Sequence, residues 1–329
     1  MNESEAISEL AKIFSRPGEA SAGVLLGIGD DAALIAPSKY PLAITTDTAI
    51  EGVHFSTEWS SPREIGSKIT TANLADVCAM GGWPQYLVVA VGAPPSRTTI
   101  GGTTIGGTTI GDNTLFEIAH GIAEEADRVG ARVIGGDLSQ SEKLMITITA
   151  IGNVEKTITR GGAHVGDSLY ISQLPGWSQL GYHACIRHSQ RTANVTRAIN
   201  AFVTPQPDFS QSKQISRHAS ALTDVSDGLL LDASHIADAS GVTIEIDPAL
   251  VMAIPDFANL VDAIGDIDTS LDSLNIALTG GEDHEFLFTS SSHDLTCGFR
   301  IGKVLDRIER SVTVKGRELP SILGWSHKF

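Results

Sequence analysis

Acidic residues recur in one local setting along this chain: an apolar run, then a carboxylate beside Gly or Thr. The first half has "GIGDD" (Asp30, Asp31), "AITTDT" (Asp47), "NLADVCAMGG" (Asp76) and "VIGGD" (Asp137). The second half adds "ALTDVSDGLLLD", with Asp224 and Asp227 three apart where a strand gives way to a helix, and "TGGEDHEF", with Glu282 and Asp283. Carboxylate oxygens beside threonine hydroxyls suit hard cations such as magnesium, which keeps part of its water shell and works with phosphates. Taken singly, each acid has a structural reading: Asp227 could cap the helix that follows, and Asp137 could close a turn. The repeated strand-end setting favours a shared site, because ligands of open sheets gather at the carboxyl ends of strands. Asp30 and Asp31 sharpen the question. Val24, Leu25, Leu26 and Ile28 read as a buried strand, and adjacent carboxylates at its end need a neutralising partner.

The elements that must position these acids alternate. A helix is expected at 3–15, strands near 24–29 and 41–46, and a helix at 62–79. The apolar run "YLVVAVGAPP" follows, then a helix near 114–129 and strands "ARVIGG" and "KLMITITAIGNV". "TITRGGAHVGDSLYIS" opens a second unit with helices at 178–190 and 195–202 and a strand "SALTDV". It continues with the helix "DGLLLDASHIADAS", the strand "GVTIEI", a helix at 268–276 and the strand "HEFLFT". This pattern predicts an α/β to α+β protein of two domains, 1–155 and 156–329. One segment, "TTIGGTTIGGTTIGD" at 98–112, repeats a five-residue unit. It lacks the lysine and spacing of a phosphate loop and reads as a flexible loop expansion.

Composition bounds the class. The chain has 329 residues, 42% hydrophobic and 19% charged, with 33 glycines, as expected of a soluble globular protein with many tight turns. No apolar run approaches the roughly 18 residues that a membrane span needs. The N-terminus reads as a short amphipathic helix rather than a signal peptide. Cys78, Cys185 and Cys297 give neither a disulfide framework nor a zinc pattern, so the expected location is the cytoplasm. With 23 basic against 39 acidic residues and a net charge of −16, a general basic surface for nucleic acid is excluded.

The motifs also carry a family likeness. "LGIGDDAALI", "ITTDTAIEGVHF", "NLADVCAMGGWPQYLVVAVGAP", "VIGGD", "ITRGGAHVGDSLYIS", "TDVSDGLLLDASHIADASG" and "LTGGEDHEFLFT" stand in the order and approximate spacing of thiamine-monophosphate kinase. The resemblance runs from residue 24 to the terminal "GWSHKF". It implies the superfamily of aminoimidazole ribonucleotide synthetase: an N-terminal α/β domain that dimerises through its sheet, and a C-terminal α+β domain, with ATP between them.

Carried over residue by residue, the resemblance makes Asp31, Thr45, Thr46, Asp47, Asp76, Asp137, Asp224 and Asp227 the ligands of several magnesium ions. Gly136, Asp137, Arg160 and Ser226 fall to ATP, and a guanidinium fork suits phosphate oxygens. His54, Glu282 and Trp325 fall to thiamine monophosphate, where an acid suits the cation and an aromatic face its rings. Asp30 positions the turn. No side chain is expected to act as nucleophile or general base, because a phosphate monoester is already anionic. The reading is a homodimeric cytoplasmic phosphotransferase without nucleic-acid or membrane partners. Two alternatives stand beside it: a sister enzyme acting on another acceptor, and a catalytically slack nucleotide- or thiamine-binding module. Selenophosphate synthetase requires a reactive cysteine in a Gly-rich N-terminal segment, and the related hydrogenase maturation factor a cysteine-bearing tail; neither feature is present. The chain departs from the family at Leu138–Ser139 after "GGD", at Trp177 where Asp is usual, and at His164 where Lys is usual.

Overall fold

Two compact units make up the chain, one of Met1–Val77 with Trp83–Glu155, the other of Cys78–Gly82 with Lys156–Phe329. The computed structural model describes residues 3–14, 23–94, 98–100, 103–105 and 112–326.

The first unit runs α1 (Glu3–Phe14), β1 (Val24–Leu26), β2 (Leu34–Ile35), β3 (Leu42–Ile50), α2 (Pro62–Ala79), β4 (Gly82–Ala93), β5 (Thr98–Ile100), β6 (Thr103–Ile105), α3 (Asp112–Asp127), β7 (Arg132–Gln140) and β8 (Met145–Val154). Its main sheet has the order β3-β8-β4-β7, with β3 antiparallel to β8 and β4 parallel to β7. Strand alternation sorts the faces. On β8, Ile146, Ile148 and Ala150 are fully buried, while Met145 on the opposite face is exposed. That face packs against α2, where a Cβ on Gly152 would lie 2.4 Å from Val77 Cγ1, and Ile65, Ile69 and Leu74 of α2 and Ile118 and Ile122 of α3 are buried. On β3 the opposite face stays open, and Ile44 is 66% exposed.

Two expectations fail in this unit. The stretch 24–29 is not a buried strand: β1 is three residues that, among the described residues, pair with β2 alone, and Leu25 is 70% exposed. A two-stranded ribbon has too few neighbours to cover both faces. Asp30 and Asp31 are therefore exposed, and water already solvates the charges that burial would have set against each other. The repeat is not wholly a loop either. Two of its "TTI" units are β5 and β6, paired antiparallel with Thr98 opposite Ile105, because β-branched residues favour strands. The other residues of the repeat, 101–102 and 106–111, lie outside the described residues.

The second unit runs β9 (Ser168–Ile171), α4 (Trp177–Ile186), α5 (Ala193–Val203), α6 (Phe209–His218), β10 (Ala221–Asp224), α7 (Leu229–Ser240), β11 (Thr243–Ile246), α8 (Pro248–Met252), α9 (Phe257–Ile267), α10 (Ser273–Thr279), β12 (Phe286–Ser290), β13 (Phe299–Leu305) and β14 (Val312–Val314). Its sheet order is β10-β12-β9-β13-β11-β14, antiparallel except for β11 with β14. Strands β9, β10 and β12 are buried at every residue. The architecture is thus α/β to α+β. The expected helix at 268–276 straddles two helix ends: Asp268 terminates α9, and Asp272 caps α10 by accepting from the Asn275 N–H at 2.8 Å. Helix α6 has no place in the sequence reading, since only Phe209, Ser212 and Ile215 of its ten residues are buried. Among the described residues no helix is long and apolar enough to cross a membrane.

Candidate functional site

In the first unit the candidates stand on regular elements, each with a light tether. Thr45 and Asp47 point to the helix-covered side of β3 and are half-buried. The Thr45 hydroxyl donates to Asp76 Oδ2 on α2 at 2.6 Å, and the Asp47 N–H donates to Asn73 Oδ1 at 3.3 Å. Thr46, one residue along, faces the other way, as the pleat requires. Its hydroxyl meets that of Thr149 at 2.8 Å, directly across the ladder. The structure thus brings Thr45 to Asp76 and separates the Thr46 hydroxyl from both. Asp31 is exposed, and its N–H donates to Asp30 Oδ1 at 2.8 Å, so Asp30 shapes the turn. Gly136 and Asp137 are exposed near the end of β7, and Ser139 donates to Asp137 Oδ2 at 2.7 Å. The Leu138–Ser139 departure therefore keeps one hydroxyl against the acid. His54 Nδ1 accepts from the Ile50 N–H at 3.1 Å. That bond ties the imidazole to the end of β3 and puts the proton of the neutral ring on Nε2.

Backbone bonds gather the candidates of the second unit. The Glu282 N–H donates to Ser226 O at 2.8 Å, the His284 N–H to Val225 O at 3.0 Å, and the Trp325 N–H to Asp227 O at 2.8 Å. These approaches leave no room for side chains: a Cβ on Gly281 would lie 2.3 Å from Ser226 O, and one on Gly324 2.3 Å from Asp227 O. Ser226, Asp227, Glu282 and Trp325 thereby form one laced surface, with the Trp325 side chain outermost at 60% exposure. Arg160 joins this unit's set through β10. Its Nε donates to Thr223 Oγ1 at 3.2 Å, one residue from Asp224. Asp224 itself is buried at 2% exposure, and His284 Nδ1 stands 3.0 Å from its Oδ2.

Asp227 does not cap α7. The N-cap residue is Gly228, and Asp232 Oδ2 takes the N–H groups of both Asp227 (3.1 Å) and Gly228 (3.0 Å). Asp232 was not among the candidates. Its signal is an acid in the first turn of a helix whose cap residue has no side chain. Burial pushes the Asp232 carboxyl up from its ordinary range. That carboxylate, 3.7 Å from His235 Nδ1, in turn holds the His235 pKa above the usual value. His284 is the second residue that the sequence reading did not place in the site. The Trp177 departure has a packing explanation. Its indole donates to Asp256 Oδ2 at 2.8 Å, and the Arg197 guanidinium lies 3.7 Å from the ring centroid while pairing with the same Asp256. Trp177 is thus the filling of a sandwich between α4, α5 and the start of α9.

The eight candidate metal ligands, Asp31, Thr45, Thr46, Asp47, Asp76, Asp137, Asp224 and Asp227, all present oxygens, and hard oxygen donors fit magnesium. Among the described residues no three His, Cys, Asp or Glu side chains converge as a closed metal cage. Magnesium is commonly held by one or two carboxylates together with substrate phosphates, and the pairing of Thr45 with Asp76 is of that scale.

Residues 29–154 match the family described as AIR synthase related protein, N-terminal domain. The thiamine-monophosphate kinase of Mycobacterium tuberculosis is 34% identical over 310 residues, covering 92% of this chain and 86% of its own. That of Aquifex aeolicus is 30% identical over 307 residues, covering 91% and 92%. Among solved structures, AaThiL complexed with AMPPCP and TMP matches at a TM-score of 0.78 and 26% identity, covering 99% of this chain and 97% of that one.

Proposed function

The chain belongs to the thiamine-monophosphate kinase family, and from that premise we propose that it phosphorylates thiamine monophosphate to thiamine diphosphate with ATP, by direct in-line transfer and without a phosphoenzyme. The observation that carries the reading is the lacing of Ser226–Asp227, Glu282 and Trp325 into one surface by main-chain hydrogen bonds. An acid and an exposed indole on segments tied to adjacent residues of one loop suit a cationic aromatic ligand. A serine and an acid at the start of a helix suit a phosphorylated nucleotide with its counter-ion. The relative AaThiL, complexed with AMPPCP and TMP, supports the pairing of a nucleotide with that acceptor.

Asp31, Thr45, Thr46, Asp47, Asp76 and Asp137 of the first unit, and Asp224 and Asp227 of the second, are the proposed magnesium ligands. Bound magnesium supplies charge screening and alignment between the phosphates of donor and acceptor. The remaining work falls to the chain's own groups. Arg160, held by Thr223, offers guanidinium N–H groups to phosphate oxygens. His54, tied through Nδ1 to the Ile50 N–H, is assigned to the acceptor. No side chain has to remove a proton, because the second pKa of a phosphate monoester lies near 6.

We also propose a cytoplasmic homodimer, seated on the open face of β3 and β8. Leu42, Ile44 and Met145 are exposed there, and an apolar sheet face of this kind needs a cover. Sedimentation at micromolar concentration reads the state, and a monomer would remove the proposal. For the reaction, the purified chain is incubated with ATP, magnesium and thiamine monophosphate. Thiamine diphosphate and ADP are expected in equal amounts, turnover should stop with EDTA, and added magnesium should restore it. ADP release only with another acceptor would move the chain to a sister activity, and ligand binding without ADP release would make it a binding module.

A further inference from the structure

Glu282 and His284 both have left-handed backbone, with φ of 63° and 56°. Side chains rarely adopt that region, and holding two such residues one apart requires the surroundings to over-determine the turn. Asp283, between them, supplies the constraint. Its buried carboxylate reaches out of the turn to the first turn of α4, accepting from the Gly176 N–H through Oδ2 at 2.7 Å and from the Ser178 N–H through Oδ1 at 2.9 Å. Both bonds are charge-assisted and end on backbone donors that a helix start leaves unpaired. Trp177, between those two donors, is locked in its sandwich with Arg197 and Asp256. The anchor for the turn is therefore itself rigid. From the other side the Glu282 N–H is tied to Ser226 O.

We propose that Asp283 is a positioning residue for acceptor recognition: it pins the 282–284 turn to α4 so that Glu282 meets the cationic part of the substrate. The inference rests on the thiamine monophosphate reading given above. It makes recognition depend on a carboxylate that touches neither substrate nor metal, and on the helix start that the Trp177 sandwich holds. An asparagine at 283 keeps the shape but can satisfy only one of the two donors, since its amide nitrogen would face the other N–H.

The test uses the full chain and direct calorimetric binding of thiamine monophosphate, together with KM for each substrate and kcat. Asp283→Asn is expected to weaken thiamine monophosphate about tenfold or more in Kd and KM while changing the KM for ATP less than twofold. In the double variant with Glu282→Gln the two losses should not add, because Asp283 acts through Glu282. Asp283→Glu serves where Asp283→Asn does not fold: it keeps the charge, but its extra methylene displaces the turn, and a selective loss for the acceptor is expected again. A lower melting temperature with unchanged acceptor affinity, or losses that add in full, overturns the positioning role and leaves the kinase reading intact. Failure of the wild-type chain to bind thiamine monophosphate overturns the kinase reading and this inference together.

Discussion

The acids of the first unit and those of the second are held by different means. Asp31 and Asp137 are exposed, and Asp76 takes the Thr45 hydroxyl. Those tethers are side-chain contacts on exposed or half-buried residues, which can be exchanged at small cost to the fold. In the second unit the candidates hang on the main chain. Ser226, Asp227, Glu282 and Trp325 are fixed by backbone bonds through contacts that only glycine permits, and Asp232 and Asp283 fix that backbone from behind. One region is adaptable and the other preformed. Such a division suits a reaction in which ions and phosphates must be accommodated while a rigid heterocycle is recognised.

The sharpest way to break this comparison is Asp227→Asn. The substitution keeps the size of the side chain and leaves the α7 cap untouched, because Asp232 and not Asp227 fills the helix N-terminus. If Asp227 serves an ion or phosphate, turnover should fall by on the order of a hundredfold, the scale of one lost electrostatic contact in the transition state. The melting temperature should hold or rise, since negative charge near Asp224 and Asp232 is reduced. Asp238→Asn is the control on the same helix. Asp238 is paired with Arg307 at 2.8 Å on the surface, and an exposed pair is worth about 1 kcal/mol or less. Near wild-type turnover is expected for it. Wild-type turnover in Asp227→Asn would remove Asp227 from the proposed ligands.

Part of this could be read from the sequence where an acid ends a strand, as Asp224 ends β10; Asp47 and Asp137 instead lie within β3 and β7, and Asp76 within α2. "ALTDVSDGLLLD" announces strand, turn and helix in twelve letters, and the structure gives β10, Gly228 and α7. What could not be read were relations across the fold. Whether Thr46 shares a face with Thr45 follows from alternation, and a run of candidate ligands hides that parity. That 24–29 is exposed depends on how many strands flank it, which no local pattern states. His284 meets Asp224 over sixty positions of chain. Asp232 acts on a backbone that lies before it, so its role shows only once α7 is known to begin at Leu229.

A smaller effect separates the units by pH. Burial pushes the Glu285 carboxyl up to about 8 from an ordinary 4.5, with the Ser172 hydroxyl donating to it. The folded chain therefore holds this proton more tightly than the unfolded one. The contribution to stability is present in full below the unfolded value and is lost as pH rises through about 8. Burial of Asp283, which raises it to about 6, acts in the same direction over a narrower and more acidic window. Melting temperature should therefore decline between mildly acid and mildly alkaline pH. Glu285→Gln, which stays neutral throughout, should flatten that decline. Parallel melting curves for the two proteins across this range would show that the Glu285 proton is not retained on folding.

The smallest effect is expected at the repeat, in the adaptable unit. Deleting residues 103–107 removes one "TTIGG" and with it β6. Because the unit is repeated, the chain that remains still reads "TTIGGTTIGD" from position 98. The third "TTI" then occupies the place of the second, with the same Gly-Gly between it and β5. Strand pairing is set by side-chain pattern and turn length, and both are preserved, so Thr98 can again face an isoleucine. Shortening the connection between β4 and α3 by five residues changes closure entropy by well under about 1 kcal/mol. Melting temperature should shift by no more than a degree or two, and turnover should stay within about threefold. Deletion of two units, leaving one "TTI" without a partner, gives the contrasting case and should lose the hairpin altogether. If the single deletion instead raised the KM for ATP tenfold, the repeat would belong with the phosphate-side groups, and the first unit would hold a preformed element of its own.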